Sequence, residues 1–211
     1  MQRIKEQLEN EVLTQMKKVV IANDHGAVEL ASKIKKYLEE RGYEVNWLGT
    51  QTEESVDYPD QAEKACIEFR KGGYEFGVLC CGTGIGISIA ANKMKGIRCA
   101  LIADKYSAEM TKRHNNPQFI AFGGRVNYHD SIESMLDAFI DHDFEDGRHS
   151  ARIAKMMLLS LNNLIISPAS ANVVVKFKEA EENTYSICKP IIANTKFHHP
   201  LSSSIYRGTK S

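Results

Sequence analysis

The chain has 211 residues, with 27 Lys and Arg against 27 Asp and Glu. That length suits one domain with extensions, or one domain and a small second one. The balanced charge argues for neither nucleic acid nor a membrane surface as a partner.

Residues 1–18 carry charges throughout and have no apolar centre, so no signal peptide is expected. No stretch is long and apolar enough to span a bilayer. The five cysteines, Cys66, Cys80, Cys81, Cys99 and Cys188, form no C-x-x-C pair, and most fall in apolar patterns. They read as free thiols of a reducing, cytoplasmic compartment, neither a disulfide framework nor a zinc site.

Residues 1–17 space Ile4, Leu8, Val12 and Met16 four apart, which predicts an amphipathic helix ahead of the domain. Residues 18–22 predict the first strand. It runs into Asn23-Asp24-His25-Gly26, and a helix follows with Val28, Leu30, Ile34 and Leu38 facing inward. Gly42 stops that helix. Asp24 and His25 stand where they could hold substrate groups; alternatively, Asp24 only caps the helix. Residues 43–48 predict the second strand and 61–71 the next helix. Tyr58, just before that helix, either lines a pocket or packs under the loop.

Residues 75–80 predict the third strand. The chain then turns on Gly82, Gly84 and Gly86 and leaves as a helix over 85–93, with Ile89 and Ala90 as buried positions. Residues 97–102 predict the fourth strand. The helix from Asp104 ends near His114-Asn115-Asn116-Pro117, because Pro117 cannot continue it. Residues 118–122 predict the fifth strand, which runs into Gly123-Gly124-Arg125, and a helix follows over 131–141. Gly147 breaks the chain before a last helix over 149–159. Arg148 and Arg152, four apart, share a helix face. Two such guanidinium forks suit a phosphate; the plain alternative is a solvated basic face. Residues 160–211 are polar, with Val173-Val174-Val175 as the only strand-like run, and read as a tail. The chain thus divides into an extension (1–17), a domain (18–158) and a tail (159–211).

A strand that turns through glycines into a helix aims free backbone N–H groups into one small space. That geometry suits an anion, or an oxyanion formed during a reaction. Cys81 stands on the lip of this turn, where a helix N-terminus favours thiolate over thiol. The alternative is a tight turn with Cys81 as core. The glycines run G-x-G-x-G after a later strand, which does not fit the dinucleotide fingerprint.

Strand and helix alternate five times, which predicts an α/β domain: a three-layer, Rossmann-like fold with a five-stranded parallel sheet and helices on both faces. Such sheets bind ligands beyond the carboxyl ends of their strands, where strand order reverses. In a flavodoxin-like order that point lies between strands one and three. Asp24-His25 and residues 81–86 therefore converge.

Residues 18 to about 157 resemble the type B ribose-5-phosphate isomerases, of the wider group that includes galactose-6-phosphate and allose-6-phosphate isomerases. The matching pieces are Asn23-Asp24-His25, Glu54-Ser55-Val56-Asp57-Tyr58-Pro59-Asp60, Cys81-Gly82-Thr83-Gly84-Ile85-Gly86, Ala90-Ala91-Asn92-Lys93, His114-Asn115, Gly124-Arg125 and Gly147-Arg148-His149 with Arg152. They occur in the family's order and spacing.

The resemblance implies an aldose–ketose isomerase of the pentose phosphate pathway, working through an enediolate with no metal and no cofactor. Cys81 matches the base that moves a proton between C1 and C2. A second branch has glycine there and a glutamate just after the loop; Ile87 stands in that place here, so the chain goes with the cysteine branch. The N–H groups of Gly82, Gly84, Ile85 and Gly86 match the enediolate cradle, with Thr83 beside it. His114 matches the group that opens the furanose ring. Asp24, Asn115 and Tyr58 match residues around the sugar hydroxyls. His25, Arg148 and Arg152 match phosphate contacts, and Arg125 a further substrate arginine. The expected substrate pair is ribose 5-phosphate and ribulose 5-phosphate. A six-carbon sugar phosphate is the near alternative, and a non-catalytic phosphosugar-binding regulator the distant one.

The resemblance also implies a homodimer, or a tetramer, with sites at the interface. Helix direction gives the same expectation independently. The helix from Asp104 starts at the edge where Cys81 lies and runs back on the order of 15 Å. His114 would then lie beyond reach of a sugar beside its own Cys81, and a two-fold partner would have to supply it.

Overall fold

The structure, a computed structural model, describes residues 16–162. Most of the extension helix, the Val173-Val174-Val175 run, Cys188 and nearly all of the tail lie outside the described residues. Met16 and Lys17 are not helical and lead directly into the first strand.

Strand β1 (Lys18–Asn23) is followed by a 3-10 turn (His25–Ala27) and helix α1 (Val28–Glu40). Then come β2 (Glu44–Trp47), α2 (Tyr58–Arg70), β3 (Tyr74–Cys81), α3 (Ile85–Lys93) and β4 (Cys99–Leu101). Helix α4 (Lys105–Met110) widens into a π turn (Thr111–Asn115) before β5 (Phe119–Gly123), α5 (Ile132–Ile140) and α6 (Arg148–Asn162). All four strand pairings are parallel.

The strand order is β2-β1-β3-β5-β4. The reversal between β1 and β3 is as expected, but β4 and β5 are exchanged relative to a flavodoxin-like order. Burial accounts for the exchange. All five residues of β5 are buried, as an inner strand requires, whereas the three-residue β4 has an exposed Leu101 and suits an edge. Asn92 secures that edge. Its side-chain amide donates to the Cys99 carbonyl at 2.7 Å, and its oxygen accepts the Cys99 N–H at 2.9 Å.

The alternation of the strands divides the core. Val19, Ile21, Val78, Cys80, Ile120 and Phe122 face α1, α4 and α5. Val20, Ala22, Leu79, Cys81, Phe119 and Ala121 face α2 and α3. Cys80 and Cys81 therefore belong to opposite layers.

Two burial expectations need correction. In α3 the buried residues are Ile87, Ser88 and Ala91, while Ile89 is 54% exposed and Ala90 is only half-buried. Ile89 follows Ile87 by two residues, about 200° around the helix, so both cannot face the sheet. In α1 the buried set is Ala31, Ile34 and Leu38, with Val28 and Leu30 only partly covered.

Candidate active site

The candidate residues form two groups at opposite edges of the sheet. The first surrounds the turn after β3. Gly84 sits at φ 74°, a left-handed backbone that side chains resist. A Cβ there would also lie 2.6 Å from Leu101 Cδ1 and 2.8 Å from the Phe122 carbonyl carbon, so glycine is required twice over. Its N–H donates to Cys81 Sγ at 3.2 Å. Cys81 is 4% exposed, so the sulfur lies under the turn and not on its lip. The N–H of Ile85 donates to Thr83 Oγ1 at 3.4 Å. Among the described residues, the N–H groups of Gly82, Thr83 and Gly86 find no acceptor, which leaves them for an anion.

The neighbouring loops close on this turn. The Asp24 N–H donates to the Cys80 carbonyl at 3.1 Å, and Asp24 Oδ1 accepts the Gly26 N–H at 2.8 Å. Asp24 does cap the 3-10 turn, and this contact fixes its carboxylate beside the cradle. His25 Nδ1 accepts the Val56 N–H at 3.2 Å, which places the imidazole proton on Nε2. The N–H groups of Gly124 and Arg125 donate to the carbonyls of Cys81 and Gly82 at 2.9 and 3.0 Å. The Arg125 guanidinium lies over Gly82. Tyr58 is not packed under the loop. It is exposed, opens α2, and lays its ring on Gly86, where a Cβ would come within 2.7 Å of Cζ.

Burial pushes Cys66 up to about 11 and holds Cys80 and Cys99 well above the ordinary thiol range. All four described cysteines are free.

The second group gathers at the start of α6, against the π turn. His114 and His149 stack with ring centroids 4.2 Å apart and planes 4° from parallel. Glu145 Oε2 lies 3.5 Å from His114 Nε2 and 3.8 Å from His149 Nε2. Arg148 Nε donates to His149 Nε2 at 3.3 Å. Burial, then the charges of His114, Arg148 and Arg152, hold His149 below the usual histidine range. Arg98 braces the turn from below: Nη2 donates to the Asn116 carbonyl at 2.6 Å and Nε to the Asn115 carbonyl at 3.4 Å. Asn116, at φ 36°, closes the turn ahead of Pro117.

His114, Glu145 and His149 offer three ligand atoms within 4.8 Å of one another. They do not suit a metal ion. Stacked, parallel imidazole rings keep their lone pairs in two separate planes, which cannot meet on one ion at the roughly 2 Å of a zinc–imidazole bond. His149 and Glu145 take no role in the sequence reading. The signal was there: they stand four apart in Glu145-Asp146-Gly147-Arg148-His149, a spacing that joins the turn before α6 to its first residues.

The sequence model of the Ribose/Galactose Isomerase family matches residues 19–156. The chain belongs to this family. Ribose-5-phosphate isomerase B of Escherichia coli is 40% identical over 138 residues, which cover 65% of this chain and 93% of that protein. Ribose-5-P isomerase B of Listeria innocua is 37% identical over 146 residues, 69% of this chain and 99% of that one. Among solved structures, ribose-5-phosphate isomerase B of Clostridium thermocellum superposes with a TM-score of 0.67 at 40% identity, covering 69% of this chain and 99% of that one. That of Thermotoga maritima gives 0.65 at 42%, covering 67% and 98%. These isomerases are named for ribose 5-phosphate, which does not favour the six-carbon reading. The shared fold is the α/β sheet described above. No helix among the described residues is long and apolar enough to cross a membrane.

Proposed function

We infer that this chain is an aldose–ketose isomerase that interconverts D-ribose 5-phosphate and D-ribulose 5-phosphate, a step of the pentose phosphate pathway. The observation that carries the chemistry is the Gly84 N–H on Cys81 Sγ, at the base of a turn in which the N–H groups of Gly82, Thr83 and Gly86 find no acceptor among the described residues.

The proton beside a carbonyl is hard to remove, so the base must be pre-placed and the oxyanion stabilised. Cys81 thiolate takes the C2 proton of the open-chain aldose. The electron pair moves into the C1–C2 bond, and charge builds on the C1 oxygen. The N–H groups of Gly82 and Gly86 receive that charge, joined by that of Ile85 as it turns from the Thr83 hydroxyl beside it. Cys81 returns the proton to C1, the C2 oxygen becomes the carbonyl, and its proton passes to the C1 oxygen. Asp24, Tyr58 and Asn115 address the sugar hydroxyls, and Arg125 closes over the cradle. His25 Nε2–H, Arg148 and Arg152 take the phosphate, whose binding holds the open chain in place. His114 opens the furanose by moving a proton from the C1 hydroxyl to the ring oxygen.

His114, Asn115, Arg148 and Arg152 stand at the edge opposite Cys81, which supports a homodimer whose sites each draw on two chains. The isomerase domain is placed at 18–158, with 1–17 as an extension and 159–211 as a tail dispensable for chemistry. The buried free thiols support a cytoplasmic location. A coupled assay on ribose 5-phosphate and allose 6-phosphate tests the reading. Turnover of ribose 5-phosphate supports it; binding of either sugar phosphate with turnover of neither contradicts it.

A further inference from the structure

The carboxylate of Glu145 is held more firmly than its place on an exposed turn requires. The Glu145 N–H donates to the Arg113 carbonyl at 2.9 Å, inside the π turn that carries His114. Arg113 Nε donates to Glu145 Oε1 at 2.6 Å, and Nη2 contacts the same oxygen. Arg113 is in turn held by Glu109, one helical turn back, at 2.6 Å. Backbone and side chain together lock Glu145 to the segment bearing His114, and leave only Oε2 uncommitted.

Two imidazole nitrogens face that oxygen, and Arg148 decides between them. A guanidinium can only donate, so its contact makes His149 Nε2 an acceptor. A nitrogen that accepts from Arg148 carries no proton to offer Glu145. His149 is then the neutral Nδ1–H tautomer, buried and stacked flat against His114. Oε2 is left to His114. At 3.5 Å the contact is an ion-pair approach, not a formed hydrogen bond. Catalytic contacts of this kind tighten when substrate binds.

We propose that Glu145 is a positioning residue for ring opening: its Oε2 holds His114 by Nε2–H, and leaves His114 Nδ1 to exchange the proton between the C1 hydroxyl and the ring oxygen. This rests on the reading of His114 as the ring-opening group. No net proton is gained or lost. Nδ1 takes the hydroxyl proton, becomes imidazolium against Glu145, and gives a proton to the ring oxygen as the C1–O bond breaks. The carboxylate is kept charged by Arg113, which holds Glu145 below the usual carboxylate range.

The two directions of the reaction separate this role from a merely structural one. Ribose 5-phosphate is closed through its C4 hydroxyl and must be opened. Ribulose 5-phosphate carries its phosphate on the C5 oxygen, cannot close, and reaches the enediolate without ring opening. In the full-length protein, Glu145→Gln should lower turnover of ribose 5-phosphate about 10–100-fold, part of the roughly 10²–10⁴-fold that a positioned acid–base group supplies. Wash-in of solvent deuterium at C1 of ribulose 5-phosphate should stay at the wild-type rate. Glu145→Asp, which keeps the charge, should recover part of the loss, and it carries the test if the glutamine variant melts early. His114→Ala should show the same one-sided loss, and larger. If His114→Ala is one-sided but both Glu145 variants match wild type, or slow both directions alike, Glu145 does not position His114. If His114→Ala itself slows both directions alike, the ring-opening role of His114 is what fails.

Discussion

Cys81 and His114 lie at opposite edges of one sheet. Cys81 pairs with Gly123 in the last row of β3 and β5, while Gly77 pairs with Phe119 in the first. The four steps between span about 13 Å at the rise of a parallel strand. His114 belongs to the first-row side, because the carbonyl of its neighbour Asn115 meets Arg98, which immediately precedes Cys99 and the start of β4. Ring opening and proton transfer act on adjacent atoms of one small sugar. On the roles proposed for Cys81 and His114, a second chain is needed to bring both groups to the same molecule.

The division of Cys80 and Cys81 between the two layers predicts opposite phenotypes. Cys81→Ala should remove C1–C2 proton exchange by about 10²–10⁴-fold, the range for loss of a general base, while sugar phosphate still binds. Cys80→Ala removes a sulfur from a close-packed layer and should lower stability with turnover retained. Single-turnover exchange and thermal melts on both variants check this. Equal loss of activity in two folded variants would reject the assignment of Cys81.

Gly84→Ala should damage fold and chemistry together. A left-handed alanine costs roughly 1–2 kcal/mol, and crowding against Leu101 and Phe122 adds about 1–3. At about 2 kcal/mol or more, Tm should fall by roughly 4–8 °C or further. Turnover should fall beyond what unfolding explains, since the Gly84 N–H is the one on Cys81 Sγ. A variant with normal turnover would mean that the turn tolerates a different path.

Arg41 joins the C-terminal ends of α1 and α5 through Asp137 and Asp141. Its hydrogen bond holds Asp141 below the usual carboxylate range. A carboxylate depressed in the folded state adds stability that is full above its unfolded value, about 3.9, and is lost as pH falls through the folded value. Melts of wild type and Arg41→Ala should therefore differ at neutral pH and converge below about pH 4. A gap that persists undiminished in acid would assign Arg41 a packing role only.

Much of this was legible in the sequence, because period and punctuation report backbone geometry directly. Gly84 and Gly86 marked the turn after β3, Pro117 the end of the helix, and Asp104 its start, where the Asp104–Ser107 capping box forms. What failed depends on contacts between distant segments. Ile89 is as apolar as Ile87, and only docking against the sheet decides which is covered. The exchange of β4 and β5 follows from strand length and from burial on both faces, which apolar runs do not encode. The π turn has no composition of its own. It puts His114 over His149, and so a stacked pair was invisible in residues 35 positions apart.

The most direct measurement is complementation, assayed on ribose 5-phosphate, between two chains that are each inactive toward that sugar. Cys81→Ser and His114→Ala, co-expressed with separate tags and purified as the mixed species, place wild-type Cys81 on one chain and wild-type His114 on the other. A shared site requires mixed dimers to regain about half the wild-type activity per dimer, one working site of two. Mixed dimers that form and stay inactive would place the whole site within one chain, and would contradict the separation of Cys81 and His114 across the sheet.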